Sequence, residues 1–258
     1  MNKVFVLFFV LCSLLSSCGS TNNEEVILIA ASANVQYPIN DIVKGFEEKT
    51  GINCEIIVSS SGKLSAQIKE GAPYDVFISA DMVYPGDLYD KGFCATPPKS
   101  YASGTLILWT ALPNQKVSME YLLSEKVNHI AIPNPMLAPY GKAVMEALEF
   151  YGIDEKIRSK IVYGESISQT NQFITTKVAE VGFTAKSVVL LPEMAEIGHW
   201  EEVDRQAYTI INQGAVVVST NEKKLNYAHA FYEYLFSKES EDILTNYGYG
   251  LIERSNDE

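Results

Sequence analysis

The sequence predicts an α/β fold of two units, with parallel-type central sheets flanked by helices. Two observations carry that prediction. Apolar runs of strand length alternate with stretches whose apolar residues recur at helical spacing, and short turns separate them. The alternation also starts afresh near the middle of the 258-residue chain, a length that accommodates two units of about 100 residues each.

Residues 26–31 (VILIAA) form a continuous apolar run, as expected for a strand buried on both faces. Ile39, Ile42, Val43 and Phe46 then recur at i, i+3, i+4 and i+7, which predicts a helix ended by Gly51. A strand over 54–59, a helix over 63–70 and a strand over 75–80 follow, with the turn Gly71-Ala72-Pro73 between the last two. This order implies right-handed crossovers and parallel neighbours. Residues 105–109 (TLILW) read as another strand. The second alternation comprises a strand over 129–132, a helix over 142–151, a strand over 160–163, a helix over 168–175 and a strand over 181–185. The segment 208–219 holds a strand around its AVVV run. Two helices close the chain, one carrying Ala230, Phe231, Tyr234 and Leu235, the other Ile243, Leu244 and Tyr247.

Composition narrows the function classes. With 20 basic and 32 acidic residues the formal charge is −12, against the basic face of a general nucleic-acid binder. At 47% hydrophobic and 20% charged the chain is not a disordered one. Residues 4–15 (VFVLFFVLCSLL) follow a single cation, Lys3, and have the length of a signal-peptide core, too short to span a bilayer. Of the four cysteines, Cys12 lies in that core. Cys54 and Cys94 are either a disulfide of an oxidising envelope or two small buried hydrophobes. No Cys-x-x-Cys is present and His129, His199 and His229 are scattered, so no side-chain metal site is expected.

Small donors cluster where strands end and helices begin. Ser32 follows VILIAA, and Ser59, Ser60, Ser61 and Gly62 follow CEIIV. Tyr140-Gly141 precedes the helix at Lys142, and Ser166-Ile167-Ser168 precedes the helix around Asn171. A helix start leaves backbone N–H groups unpaired and carries positive potential, and ligands of open α/β sheets bind beyond the carboxyl ends of strands. Any one of these serines is as readily an ordinary helix cap. Several such turns, two in each half, point to a small anion.

A set of ordered segments goes further. They are AASANV (30–35), SSSGKLSAQIKEGAPYDVFISAD (59–81), AIPNPMLAPYGKAVMEAL (131–148), VYGESISQT (162–170), AEVGFTAKS (179–187), INQGAVVV (211–218) and NYGYGL (246–251). Through them nearly all of the chain after the leader resembles the substrate-binding proteins of bacterial molybdate ABC transporters, of type II periplasmic binding protein fold. That resemblance implies two lobes, the second inserted into the first, with lobe 1 at 26–106 and 216–258 and lobe 2 at 107–215. It implies an exported, monomeric, non-enzymatic protein without a cofactor, which captures molybdate, and tungstate with it, for an ABC transporter permease. The family's ligand contacts fall on the hydroxyls of Ser32 and Ser61 and on the backbone N–H groups of Tyr140 and Ile167. A tyrosine used by some members is replaced by Ala185. Leu15-Ser16-Ser17-Cys18 resembles a lipobox, which makes residues 1–17 a lipoprotein signal peptide, Cys18 the lipidated residue and sole membrane anchor, and 18–25 a tether.

Two other functions are compatible with parts of the sequence. One is a binder of another small oxyanion, such as sulfate or thiosulfate. Against an organic-acid ligand, Arg158 and Arg205 lie outside the donor turns. The other is a serine acyl-enzyme, since Ser60-x-x-Lys63, Lys49-Thr50-Gly51 and Ser32-x-Asn34 match its three short signatures, though in reversed order.

Overall fold

The computed structural model describes residues 26–194, 196–219 and 221–252. The leader, Cys18 and the tether lie outside the described residues. Among the described residues ten strands form two five-stranded sheets, ordered β2-β1-β3-β10-β4 and β7-β6-β8-β5-β9. The first contains β1 (Ile27–Ser32), β2 (Cys54–Ser59), β3 (Val76–Ser79), β4 (Lys99–Gly104) and β10 (Ile211–Val217). The second contains β5 (Leu106–Thr110), β6 (Ile130–Pro133), β7 (Ile161–Gly164), β8 (Val181–Ala185) and β9 (His199–Glu202). The helices are α1 (Gln36–Thr50), α2 (Ser61–Lys69), α3 (Val83–Asp90), α4 (Pro139–Phe150), α5 (Asp154–Ile157), α6 (Ile167–Thr175), α7 (Lys186–Val189), α8 (Glu222–Leu235) and α9 (Lys238–Asn246).

Each sheet is parallel through three strands and antiparallel beyond them. β10 runs antiparallel to β3 and β4, and β5 runs antiparallel to β8 and β9. The chain's path explains this. β4 ends at Gly104 in the first sheet and β5 begins at Leu106 in the second, so β5 starts at the junction and runs away from it. β10 does the same on the return.

Alternate side chains of the first sheet pack on opposite faces, as the period of a strand requires. Ile27, Ile29, Val76, Ile78, Ala215 and Val217 meet Phe46 of α1 and Phe231 of α8. Ala30, Phe77 and Val216 meet Leu64 and Ile68 of α2 and Leu88 of α3. Phe46 and Phe231 stack edge to face at 5.2 Å, which accounts for the aromatic face of α8. In the second sheet Trp109, fully buried, donates its indole N–H to the Ile197 carbonyl at 2.9 Å.

Five elements were not evident from pattern, among them the one-turn helices α5 and α7. In α3, Pro85 and Gly86 disguise a helix, yet Pro85 sits in the first turn, where the missing N–H has no intrahelical partner in any case. β4 and β9 carry charged or small residues in place of an apolar run. β10 begins four residues ahead of the AVVV run, at Ile211, because a fully buried glutamine, Gln213, interrupts its apolar pattern. Cys54 and Cys94 are free, half-buried thiols, both pushed up to about 12 by burial.

Candidate functional site: four helix starts at the junction of two sheets

The four donor turns sit at strand ends as the sequence implied, and three of the four helix starts lack a side-chain cap. Ser32, in extended conformation, precedes a 3-10 turn over Ala33–Val35 and makes no capping bond. Ser60 precedes α2 and does not cap it. Ala138, which has no polar side chain, precedes α4, with Pro139 at its first position. Only Ser166 caps, accepting from the Gln169 N–H at 3.3 Å. None of the described hydrogen bonds uses the N–H of Ser61, Tyr140 or Ile167, each in the first turn of its helix. All three residues are buried.

The hydroxyls differ in what they have left to offer. Ser32 Oγ donates its one proton to Asn34 Oδ1 at 2.7 Å. Ser61 Oγ accepts the Ala80 N–H at 3.0 Å, which leaves its own proton free to donate. Ser60 Oγ is buried with no partner. A buried hydroxyl without a partner costs about 1–3 kcal/mol. No carboxylate side chain takes part in these contacts.

The two sheets meet through direct contacts around these turns. The Gly62 N–H donates to the Leu137 carbonyl at 2.9 Å, tying the start of α2 to the turn before α4. A Cβ on Gly62 would lie 2.8 Å from Tyr84 Oη and 3.0 Å from that carbonyl, so the approach depends on glycine. Tyr84 OH donates to the Met136 carbonyl at 3.3 Å, and Ser168 Oγ to Gln36 Oε1 at 3.0 Å. Lys63 and Glu165 form an ion pair between partly exposed side chains. These contacts join the two halves directly.

A buried polar network, unassigned by the sequence reading, lies behind Ser32. Asn34 Nδ2 donates to Gln213 Oε1 at 2.7 Å and to Tyr249 Oη at 3.0 Å. The Asn34 carbonyl accepts from Tyr249 OH at 2.7 Å and from Ser187 Oγ at 2.9 Å. Burial pushes the Tyr249 phenol up to about 12, so it stays neutral. Tyr140 drives its buried ring toward the first crossing, where a Cβ on Gly104 would lie 2.1 Å from its hydroxyl oxygen. Polar residues set in apolar segments, Gln213 in INQGAVVV above all, were the available signal.

The acyl-enzyme signatures do not assemble. Lys49 and Thr50 end α1, with Gly51 as its left-handed cap at φ 71°. Lys63 is paired with Glu165, while Ser60 has no basic partner. Asp81 accepts from the Tyr84 N–H at 3.1 Å beside the start of α3, as a turn group does, and burial raises its carboxyl above the usual range. Among the described residues no helix is long and apolar enough to cross a membrane.

The family described as bacterial extracellular solute-binding proteins matches residues 27–250. The chain belongs to that family. Among relatives of this solute-binding protein, the molybdate-binding protein ModA of Azotobacter vinelandii is 35% identical, covering 92% of this chain and 94% of the relative. ModA of Rhodobacter capsulatus is 36% identical over 86% of this chain and 87% of the relative. The solved periplasmic molybdate-binding protein of Azotobacter vinelandii superposes with a TM-score of 0.83 at 30% identity, covering 88% of this chain and 100% of that one. The fold is accordingly that of the type II periplasmic binding proteins.

Proposed function

We propose that this protein captures molybdate between its two lobes and presents it to the permease of an ABC transporter. The observation that carries the reading is a donor set with no carboxylate in it. Molybdate is a tetrahedral dianion without a proton at neutral pH, so it needs only donors. Serine hydroxyls and helix-start N–H groups supply these without burying Lys or Arg, whose desolvation is costly. In this reading the ligand meets the Ser61 hydroxyl and the backbone N–H groups of Tyr140 and Ile167, with Ser32 at the end of β1. Hydrogenphosphate is rejected because its proton finds no acceptor, whereas tungstate, of nearly the same size and charge, binds equally.

The first sheet with its helices acts as one lobe and the second as the other, opening and closing about the crossings beside Gly104 and before Ile211, the return lying a few residues ahead of the 215/216 boundary read from the sequence because β10 begins at Ile211. Ligand favours the closed form because only that form offers donors from both lobes. The protein works outside the cytoplasm as a non-enzymatic monomer. Removal of residues 1–17 leaves Cys18 lipidated, with 18–25 as the tether that keeps the binder near its permease. The net charge of −12 does not oppose the ligand, because surface carboxylates are screened over about 8 Å at physiological salt while the site acts at contact distance.

Calorimetry with molybdate, tungstate, sulfate and phosphate tests the reading. Molybdate and tungstate should bind, and phosphate should not. Tight phosphate binding, or sulfate in preference to molybdate, would sink it. Small-angle scattering that showed no compaction on saturation would refute closure.

A further inference from the structure

We propose that the Ser60 hydroxyl is a direct oxyanion donor, one that stands in for the tyrosine hydroxyl that Ala185 cannot supply. The inference rests on the molybdate reading above and adds a residue to it.

Ser60 stands at the capping position of α2 in extended conformation (φ −75°, ψ 150°), where a serine ordinarily accepts from the second or third N–H of the helix. It does not do so here. The second N–H, that of Gly62, is already taken by the Leu137 carbonyl of the opposite lobe. The third N–H, that of Lys63, is not capped by Ser60 either. Ser60 is 3% exposed, and its side-chain oxygen has no partner.

The other hydroxyls near the site are accounted for. Ser32 is committed to Asn34. Ala185 is fully buried and has no hydroxyl. Its neighbours cannot stand in for the missing donor, since Thr184 Oγ1 donates to Asn171 Oδ1 at 2.5 Å and Ser187 Oγ to the Asn34 carbonyl. Ser60 and Ser61 remain, adjacent in sequence at one helix start. Ser61 is held by the Ala80 N–H with its proton free. Ser60 has its proton and both lone pairs unused.

A hydroxyl sealed from water with no acceptor disfavours the empty closed form. A tetrahedral oxyanion arrives with four acceptor oxygens and no donor, and so satisfies it. Ser60 therefore strengthens the preference of the ligand for the closed state. Through the proton it must place, it also favours a fully deprotonated anion.

The test compares the mature wild-type protein with Ser60→Ala and Ser65→Ala by calorimetry with sodium molybdate and by thermal melting. Ser65 is the control, since its hydroxyl is also buried without a partner, on the same helix but a turn further on. Ser60→Ala should weaken molybdate binding by about tenfold, equivalent to about 1.4 kcal/mol. Its melting temperature without ligand should be unchanged or raised, because the orphaned group is gone. Ser65→Ala should share the melting behaviour and bind within about twofold of wild type. Ser60→Cys, a weaker donor of similar shape, should fall between alanine and wild type. Ser60→Ala binding as tightly as wild type would overturn the role of Ser60 and leave the molybdate reading intact. A wild type that binds none of the four anions would overturn both.

Discussion

In the first sheet the order β2-β1-β3-β10-β4 places β1 beside β2, and in the second the order β7-β6-β8-β5-β9 places β6 beside β7. The helix starts after β2 and β7 are therefore equivalent, and each is preceded by a serine. Ser166 caps its helix, whereas Ser60 does not. The local sequences differ little in capping chemistry, so the difference lies elsewhere. The N–H equivalent to that of Gln169 belongs to Lys63, which Ser60 leaves uncapped, while the N–H before it, that of Gly62, is held by the Leu137 carbonyl of the other half. The first half thus holds two hydroxyls with a proton to spare, those of Ser60 and Ser61, where the second holds a serine spent on its cap.

Four substitutions would break or sharpen the contrast. The largest effect is expected from Gly62→Val, whose side chain would collide with Leu137 and Tyr84 in the closed form. Molybdate affinity should fall about a hundredfold, and scattering should show the open form at saturation. Next, Ser61→Ala removes a donor to a charged ligand and should weaken binding about tenfold or more in calorimetry. Ser32→Ala should weaken it by less than Ser61→Ala, because the Ser32 proton already serves Asn34. An equal loss would show that Ser32 turns toward the ligand on binding. Smallest is Lys63→Ala at the rim. The pair with Glu165 is partly exposed, so affinity should drop by no more than about fivefold, and the difference should vanish in high salt. A matched control comes from Ser166→Ala, which should lower thermal stability by about 1 kcal/mol through loss of a cap while changing affinity less than Ser60→Ala.

Much of the fold was legible because buried parallel strands and amphipathic helices leave strong periodic marks. The runs VILIAA and TLILW became β1 and β5 within a residue at each end, and 181–185 became β8 without change. Helix α3 was hidden because two residues that usually break helices occupy tolerated positions. The four donor turns were legible from serine and glycine at strand ends. Their inequality was not. Whether a serine caps, donates inward or keeps its proton depends on groups far away in the chain, as with Asn34, 179 residues from its partner Gln213 and 215 from Tyr249.

The sequence by itself determined the two α/β units, the alternation of their elements, the net negative charge and the small neutral donors placed between strand ends and helix starts. These follow from local patterns, since burial on a strand or one face of a helix is written into residues a few positions apart. Only the tertiary structure decided which donors remain available. Each hydroxyl and N–H has a limited number of bonds to make, and the packed fold decides which are made. Ser32 is spent on Asn34, two residues on, Ser61 accepts from Ala80 of another element, and Ser60 has no partner.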